Sequence, residues 1–152
     1  NDAQIPELLR ELSRKLKEKL EAEISDAVFE GKFINLKFSN EFTKDKKIIQ
    51  YIFKLKENMM RSTNELTIDL MTLEHIHSQK ENVSWSHNIG NILPLSGEIN
   101  KLPNLKKSEF SQVEEFCKEY QNVSIWSEKL TEERAKKLAK ELFDFSMNKF
   151  KN

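Results

Sequence analysis

The stretch TLEHIHSQKENVSWSHNIGNILPLSGEINKLPN, residues 72–104, decides how this chain is read. It holds all three histidines (His75, His77 and His87), Trp85, the glycines Gly90 and Gly97, and the asparagines Asn88, Asn91, Asn100 and Asn104. On both sides of it, apolar residues recur at helical spacing among lysines and glutamates. Inside it that rhythm stops. NELTIDLMTLEHI, with Leu66, Ile68, Leu70, Leu73 and Ile76, predicts one or two short β segments; residues 77–90 are polar and loop-like; NILPLS predicts a second strand. Gly97 then opens a turn or short helix that carries Ile99 and Asn100. The expected order is strand, loop, strand, helix.

Upstream, Ile5, Leu8, Leu9, Leu12, Leu16, Leu20, Ile24, Ala27 and Val28 recur every three to four residues and predict a long amphipathic helix over 6–30, with Pro6 in its first turn and Gly31 as its stop. Phe33, Ile34, Leu36 and Phe38 form a short apolar segment that fits a strand or an extended linker. Ser39-Asn40 offers a cap for a second helix marked by Ile48, Ile49, Ile52, Phe53, Leu55 and Met59. Lys44, Lys46, Lys47, Lys54 and Lys56 make that helix locally basic, either as a solvated face or as a phosphate-contacting one. Downstream, Ser108 caps a helix whose Phe110, Val113, Phe116, Cys117 and Tyr120 share a side. Thr131 is the expected N-cap of a last helix buried through Leu138, Ala139, Leu142 and Phe143. The predicted class is α+β and mostly helical. One domain spans 1–152: a helical scaffold over 1–71, a central core over 72–104, and C-terminal helices over 105–152.

Composition narrows the function classes. A chain of 152 residues with ten phenylalanines can bury a core without staples. Its formal net charge of zero excludes a global basic field, so any nucleic-acid contact must come from local patches. No run approaches the roughly 20 apolar residues of a membrane span, and the N-terminus lacks a secretory apolar region, so a cytoplasmic protein without membrane partners is expected. Cys117 is the single cysteine, which excludes an intrachain disulfide and a cysteine-rich zinc site. A chain that begins at Asn1 is expected to be part of a longer parent protein.

Glu74-His75 beside Asn91 and Asn100 has the residue types that phosphodiester hydrolysis needs. An imidazole can take a proton from water near neutral pH, while carboxylate and amide oxygens suit a hard cation such as Mg²⁺. Two strand neighbours point to opposite faces, so Glu74 and His75 can serve one site only at a strand end or a distortion. The polar residues after Ile76 permit such an end.

The pattern Leu73-Glu74-His75-Ile76, then Gln79, then Gly90-Asn91-Ile92-Leu93-Pro94-Leu95-Ser96 and Asn100 resembles the catalytic core of HNH endonucleases. It is most similar to the carboxy-terminal HNH domain of GmrSD-type modification-dependent restriction enzymes, and the HNH domain of RNA-guided CRISPR nucleases has a similar acidic-His pair and asparagine spacing. Trp126, Leu130, Arg134, Leu138 and Ala139 resemble the tail of the same family, and KKIIQYIFKLKE resembles the helix before its first strand, so the likeness runs from about residue 45 to the end. It implies a ββα-metal core embedded in a helical scaffold. It also implies His75 as general base, Asn91 as the residue that orients His75 or its loop, and Glu74 with Asn100 as ligands of Mg²⁺, for which Mn²⁺ or Ni²⁺ can substitute. Two positions depart from the pattern: Ser78 stands where the family has proline, and His77 replaces an aliphatic residue.

Accessory roles are open to His77, His87, Asn104 and Arg134; Lys101, Lys106 and Lys107 are the expected DNA-backbone contacts. Trp85 and Trp126 are expected to be packing anchors. The resemblance implies a metal-dependent DNA endonuclease from an anti-phage restriction or defence protein, with an amino-terminal nucleotide-hydrolysing domain in the parent chain. The alternative is an HNH-like module, weak or inactive in catalysis, that binds DNA or a partner subunit.

Overall fold

The computed structural model describes residues 4–21, 26–60, 71–96 and 110–151. Among the described residues, five α-helices and one two-stranded sheet make an α+β, mostly helical architecture: α1 (Gln4–Glu21), α2 (Asp26–Phe33), α3 (Lys46–Met60), β1 (Met71–His75), β2 (Ile92–Ser96), α4 (Ser111–Glu119) and α5 (Glu128–Lys151). Among the described residues no helix is long and apolar enough to cross a membrane.

The apolar periodicity over 6–30 falls on α1 and α2, and residues 22–25, where the expected single helix would run from one into the other, lie outside the described residues. Gly31 does not stop α2, which runs two residues further to Phe33. The stop comes after Phe33, where the chain turns: Leu36 N donates to Phe33 O at 3.1 Å and the Asn35 side-chain amide donates to Gly31 O at 2.9 Å. α3 also starts later than its expected cap. Ser39 is buried, and its hydroxyl accepts from the amides of Glu41 and Phe42 at 3.1 Å each, so it closes a tight turn that starts seven residues before the helix begins. The same hydroxyl cannot cap both. α5 starts earlier than expected: Ser127 Oγ accepts from Leu130 N at 3.2 Å, and Thr131 lies inside the first turn, its hydroxyl donating to Ser127 O.

α3, α5 and the two strands meet in one core. Ile49, Ile52 and Phe53 of α3, Ala135, Leu138 and Ala139 of α5, and Leu73, Ile92 and Leu95 of the strands fill the core. Two charged groups fix the helices against one another. The Lys56 ammonium lies 2.9 Å from both Glu115 and Glu141, joining α3 to α4 and α5. Glu57 is fully buried, and its carboxylate accepts from the amides of Ser111 (2.8 Å) and Gln112 (3.3 Å), the first N–H groups of α4. Lys54 and Lys56 are therefore buried parts of the scaffold, not phosphate contacts on an open face.

β1 and β2 pair antiparallel, with Met71 opposite Ser96, Leu73 opposite Pro94 and His75 opposite Ile92. In a two-stranded sheet each strand has an outer edge, so Pro94, which has no N–H, can sit mid-strand. His75 is the last residue of β1. Residues 76–91 leave the sheet there and return at Ile92, a loop built from three tight turns over Gln79–Glu81, Ser84–His87 and Ile89–Asn91.

Candidate functional site

Asn91 closes the base of this loop. It is fully buried, and all of its side-chain hydrogen bonds go to backbone: Oδ1 accepts from His77 N at 2.8 Å, while Nδ2 donates to His77 O at 2.9 Å and Ser86 O at 2.7 Å. Its own carbonyl accepts from Ile76 N at 2.8 Å. An amide is suited to this position because it offers an acceptor and two donors on one planar group. The strand-end residue His75 is thereby followed by two residues whose backbone is clamped.

The imidazole of His75 is held by a segment distant in sequence. Its Nε2 lies 2.8 Å from the carbonyl oxygen of Phe38. A carbonyl can only accept, so Nε2 carries the proton, and in the neutral ring Nδ1 keeps the lone pair. The Phe38 ring lies nearly parallel to the imidazole, 14° between planes and 5.9 Å between centroids. Leu36–Asn40 is fastened to the loop at several points: Ile89 N donates to Leu36 O, Phe38 N donates to His87 O, and Asn40 N donates to Gln79 Oε1. The Asn88 amide adds a bond to Ile34 O at 2.6 Å. Of the two expected forms for this apolar segment, the structure has the linker, with one bridge between Lys37 and Asn88.

Glu74 is half-buried and pairs with Leu93; by strand alternation it faces away from the side on which Met71 and Leu73 are buried. Glu74 and His75 are the last two residues of β1, and both are still paired with β2. Asn100, Asn104, Lys101, Lys106 and Lys107 lie outside the described residues. Among the described residues no three of His, Cys, Asp and Glu converge as a cation site. The donor chemistry of Glu74, a carboxylate beside a partly buried imidazole, suits Mg²⁺ in combination with an amide oxygen.

His77 is half-buried against Trp85, ring centroids 4.6 Å apart, and its Nε2 lies 2.8 Å from a Glu81 carboxylate oxygen. That contact is not aligned along the ring N–H, so it is a charge contact at an exposed glutamate, worth little. His87 meets Phe42 edge-on at 5.1 Å, and its Nδ1 is buried with no hydrogen-bond partner among the described residues. Ser78, standing where the resemblance expects proline, has φ −58°, within the range proline imposes, and its hydroxyl accepts from Lys80 N at 3.2 Å. The turn keeps a proline-compatible geometry and gains a cap.

Two residues of the site's support were not legible as such from the sequence. Gly90 packs directly on α5: a Cβ at this position would lie 2.0 Å from the carbonyl oxygen of Thr131. Arg134, expected in an accessory role, is buried, and its Nη1 donates to Gly90 O (2.9 Å) and Ile92 O (2.8 Å). Burial pushes its guanidinium down to about 10, still charged at neutral pH. Gly90, Asn91 and Ile92 are thus held by backbone contact and a buried cation on one side, and by the amide clamp on the other. Trp126 completes the support, donating from Nε1 to Thr131 Oγ1 at 2.8 Å and packing on Phe116 and Tyr120.

Comparison with known proteins finds no family model that matches the chain, no matching curated protein and no matching solved structure.

Proposed function

We propose that the chain is an HNH-type DNA endonuclease unit that hydrolyses phosphodiester bonds. The observation that carries this reading is the 2.8 Å contact of His75 Nε2 with the Phe38 carbonyl, which leaves Nδ1 as the basic nitrogen of a ring held from two sides. Nδ1 takes a proton from water as its oxygen bonds to phosphorus and the bond to the leaving oxygen breaks. A general base must keep its lone pair aimed at the substrate. Phe38 fixes the tautomer and tilt of His75, and Asn91 fixes the loop that follows it. Mg²⁺, which Glu74 and Asn100 would hold, supplies charge stabilisation at the phosphate and the departing oxygen. In the parent protein this unit would serve phage restriction or defence beside an amino-terminal nucleotide-hydrolysing domain.

The test is plasmid nicking by the chain with Mg²⁺, Mn²⁺ and Ni²⁺, and after chelation. Cleavage that needs a divalent cation and disappears in a folded His75→Ala variant is the expected result. Equal cleavage by that variant would remove His75 from the chemistry. DNA binding without cleavage in all three metals would favour the inactive binding module.

A further inference from the structure

Two exposed lysines sit on aromatic rings that in turn contact the histidines of the site. Lys46 Nζ lies 5.8 Å from the centroid of Phe38, whose ring stacks on His75. Lys37 Nζ lies 4.3 Å from the centroid of Phe42, whose ring meets His87 edge-on at 5.1 Å. Each aromatic ring therefore joins an ammonium to a histidine of the candidate site.

The chain as a whole has a formal net charge of zero. Lys56 shows the contrast, being buried between Glu115 and Glu141. The segment from Lys37 to Lys47 carries four lysines against Glu41 and Asp45, a local excess of positive charge beside His75. Asp45 is partly engaged, its Oδ2 accepting from Lys37 N at 3.2 Å. An ammonium resting on an aromatic face is not neutralised, as it would be by a carboxylate, and keeps N–H groups for an anion. The contact also restricts the lysine side chain, lowering the ordering cost of a later phosphate contact.

We infer that Lys37 and Lys46 bind phosphates of a DNA strand laid along the Phe38–Phe42 edge, beside His75. The choice of DNA rests on the proposed function; the binding itself does not require cleavage. It places DNA-backbone contacts on Lys37 and on the first residue of α3, in addition to those expected from Lys101, Lys106 and Lys107.

Anisotropy of a short labelled DNA duplex, measured in chelator over a salt series, tests this. Three proteins are compared: wild type, K37Q/K46Q, and K129Q/K136Q, which removes the same charge from exposed positions of α5. Loss of two phosphate contacts flattens the slope of log K against log salt by about 1.8. Raising salt from about 50 to 200 mM should then cost K37Q/K46Q roughly tenfold less affinity than it costs wild type. The α5 pair should keep the wild-type slope, and circular dichroism should show all three folded. Equal slopes for the two double variants, or no DNA binding by wild type, would overturn the inference. Nicking by wild type with unchanged slopes would leave the nuclease reading standing without it. A flattened slope in a protein that never cleaves would do the reverse.

Discussion

Asn91→Asp is the most discriminating substitution in the loop, because it replaces the amide NH2 group by an oxygen with almost no change in volume. In the native protein the side chain makes three hydrogen bonds of 2.7–2.9 Å, all to backbone and all in a fully buried position. At about 1 kcal/mol net for each neutral bond, Asn91→Ala should cost about 3 kcal/mol. For a protein of this size that corresponds to a fall in Tm of about 6–12 °C. Aspartate retains the acceptor toward His77 N, but its second oxygen would face the carbonyls of His77 and Ser86, acceptor against acceptor, with a buried charge added. Asn91→Asp should therefore be at least as unstable as Asn91→Ala at neutral pH. Burial and the two carbonyls raise the folded-state pKa of the introduced carboxyl above its unfolded value of about 3.9. The sign follows: protonation is favoured in the folded state, so relative to Asn91→Ala the Asp variant regains stability as pH falls through that raised pKa toward about 4. Urea denaturation of both variants over a pH series reads this directly. An Asp variant as stable as wild type at neutral pH would refute the clamp and point to a metal-facing or substrate-facing Asn91.

Other substitutions separate support from chemistry. Gly90→Ala forces a methyl against the Thr131 carbonyl oxygen and should cost at least about 3 kcal/mol in thermal denaturation, because the obstacle is helix backbone and cannot rotate away. Arg134→Met removes charged hydrogen bonds to Gly90 O and Ile92 O, a loss of about 3–5 kcal/mol in urea denaturation, and should leave the salt dependence of DNA binding unchanged; a flattened salt slope with intact stability would show it to be a phosphate ligand. Glu57→Ala leaves the first amides of α4 without their acceptor and should cost at least about 1–2 kcal/mol, with Glu57→Gln recovering part of it.

How much of this was visible in the chain depends on whether a contact leaves a local pattern. The apolar stripes of α3 and α5 and the change of rhythm around 71–96 did, since burial of one face repeats at the period of the element. β1 and β2 fall where Leu73 and Leu95 marked them, and His75 sits at the strand end that the polar residues after Ile76 allowed. The cap at Ser39 and the start of α5 were misplaced because several Ser and Thr residues satisfy the same local rule, and tertiary packing selects among them. The Phe38 carbonyl on His75 was not legible at all: it is a main-chain group 37 residues upstream, and any residue at that position carries one. Arg134 and Gly90 lie 44 residues apart and act on each other through backbone oxygen, which no spacing rule encodes.

The central claim is that His75 Nδ1 is the base of a phosphodiester-cleaving site. Its most direct test is Mg²⁺-dependent plasmid nicking by wild type and by folded His75→Ala, with and without imidazole added to the buffer. The account predicts nicking by wild type, none by the variant, and partial recovery of the variant by imidazole. A variant that nicks like wild type without imidazole would contradict it.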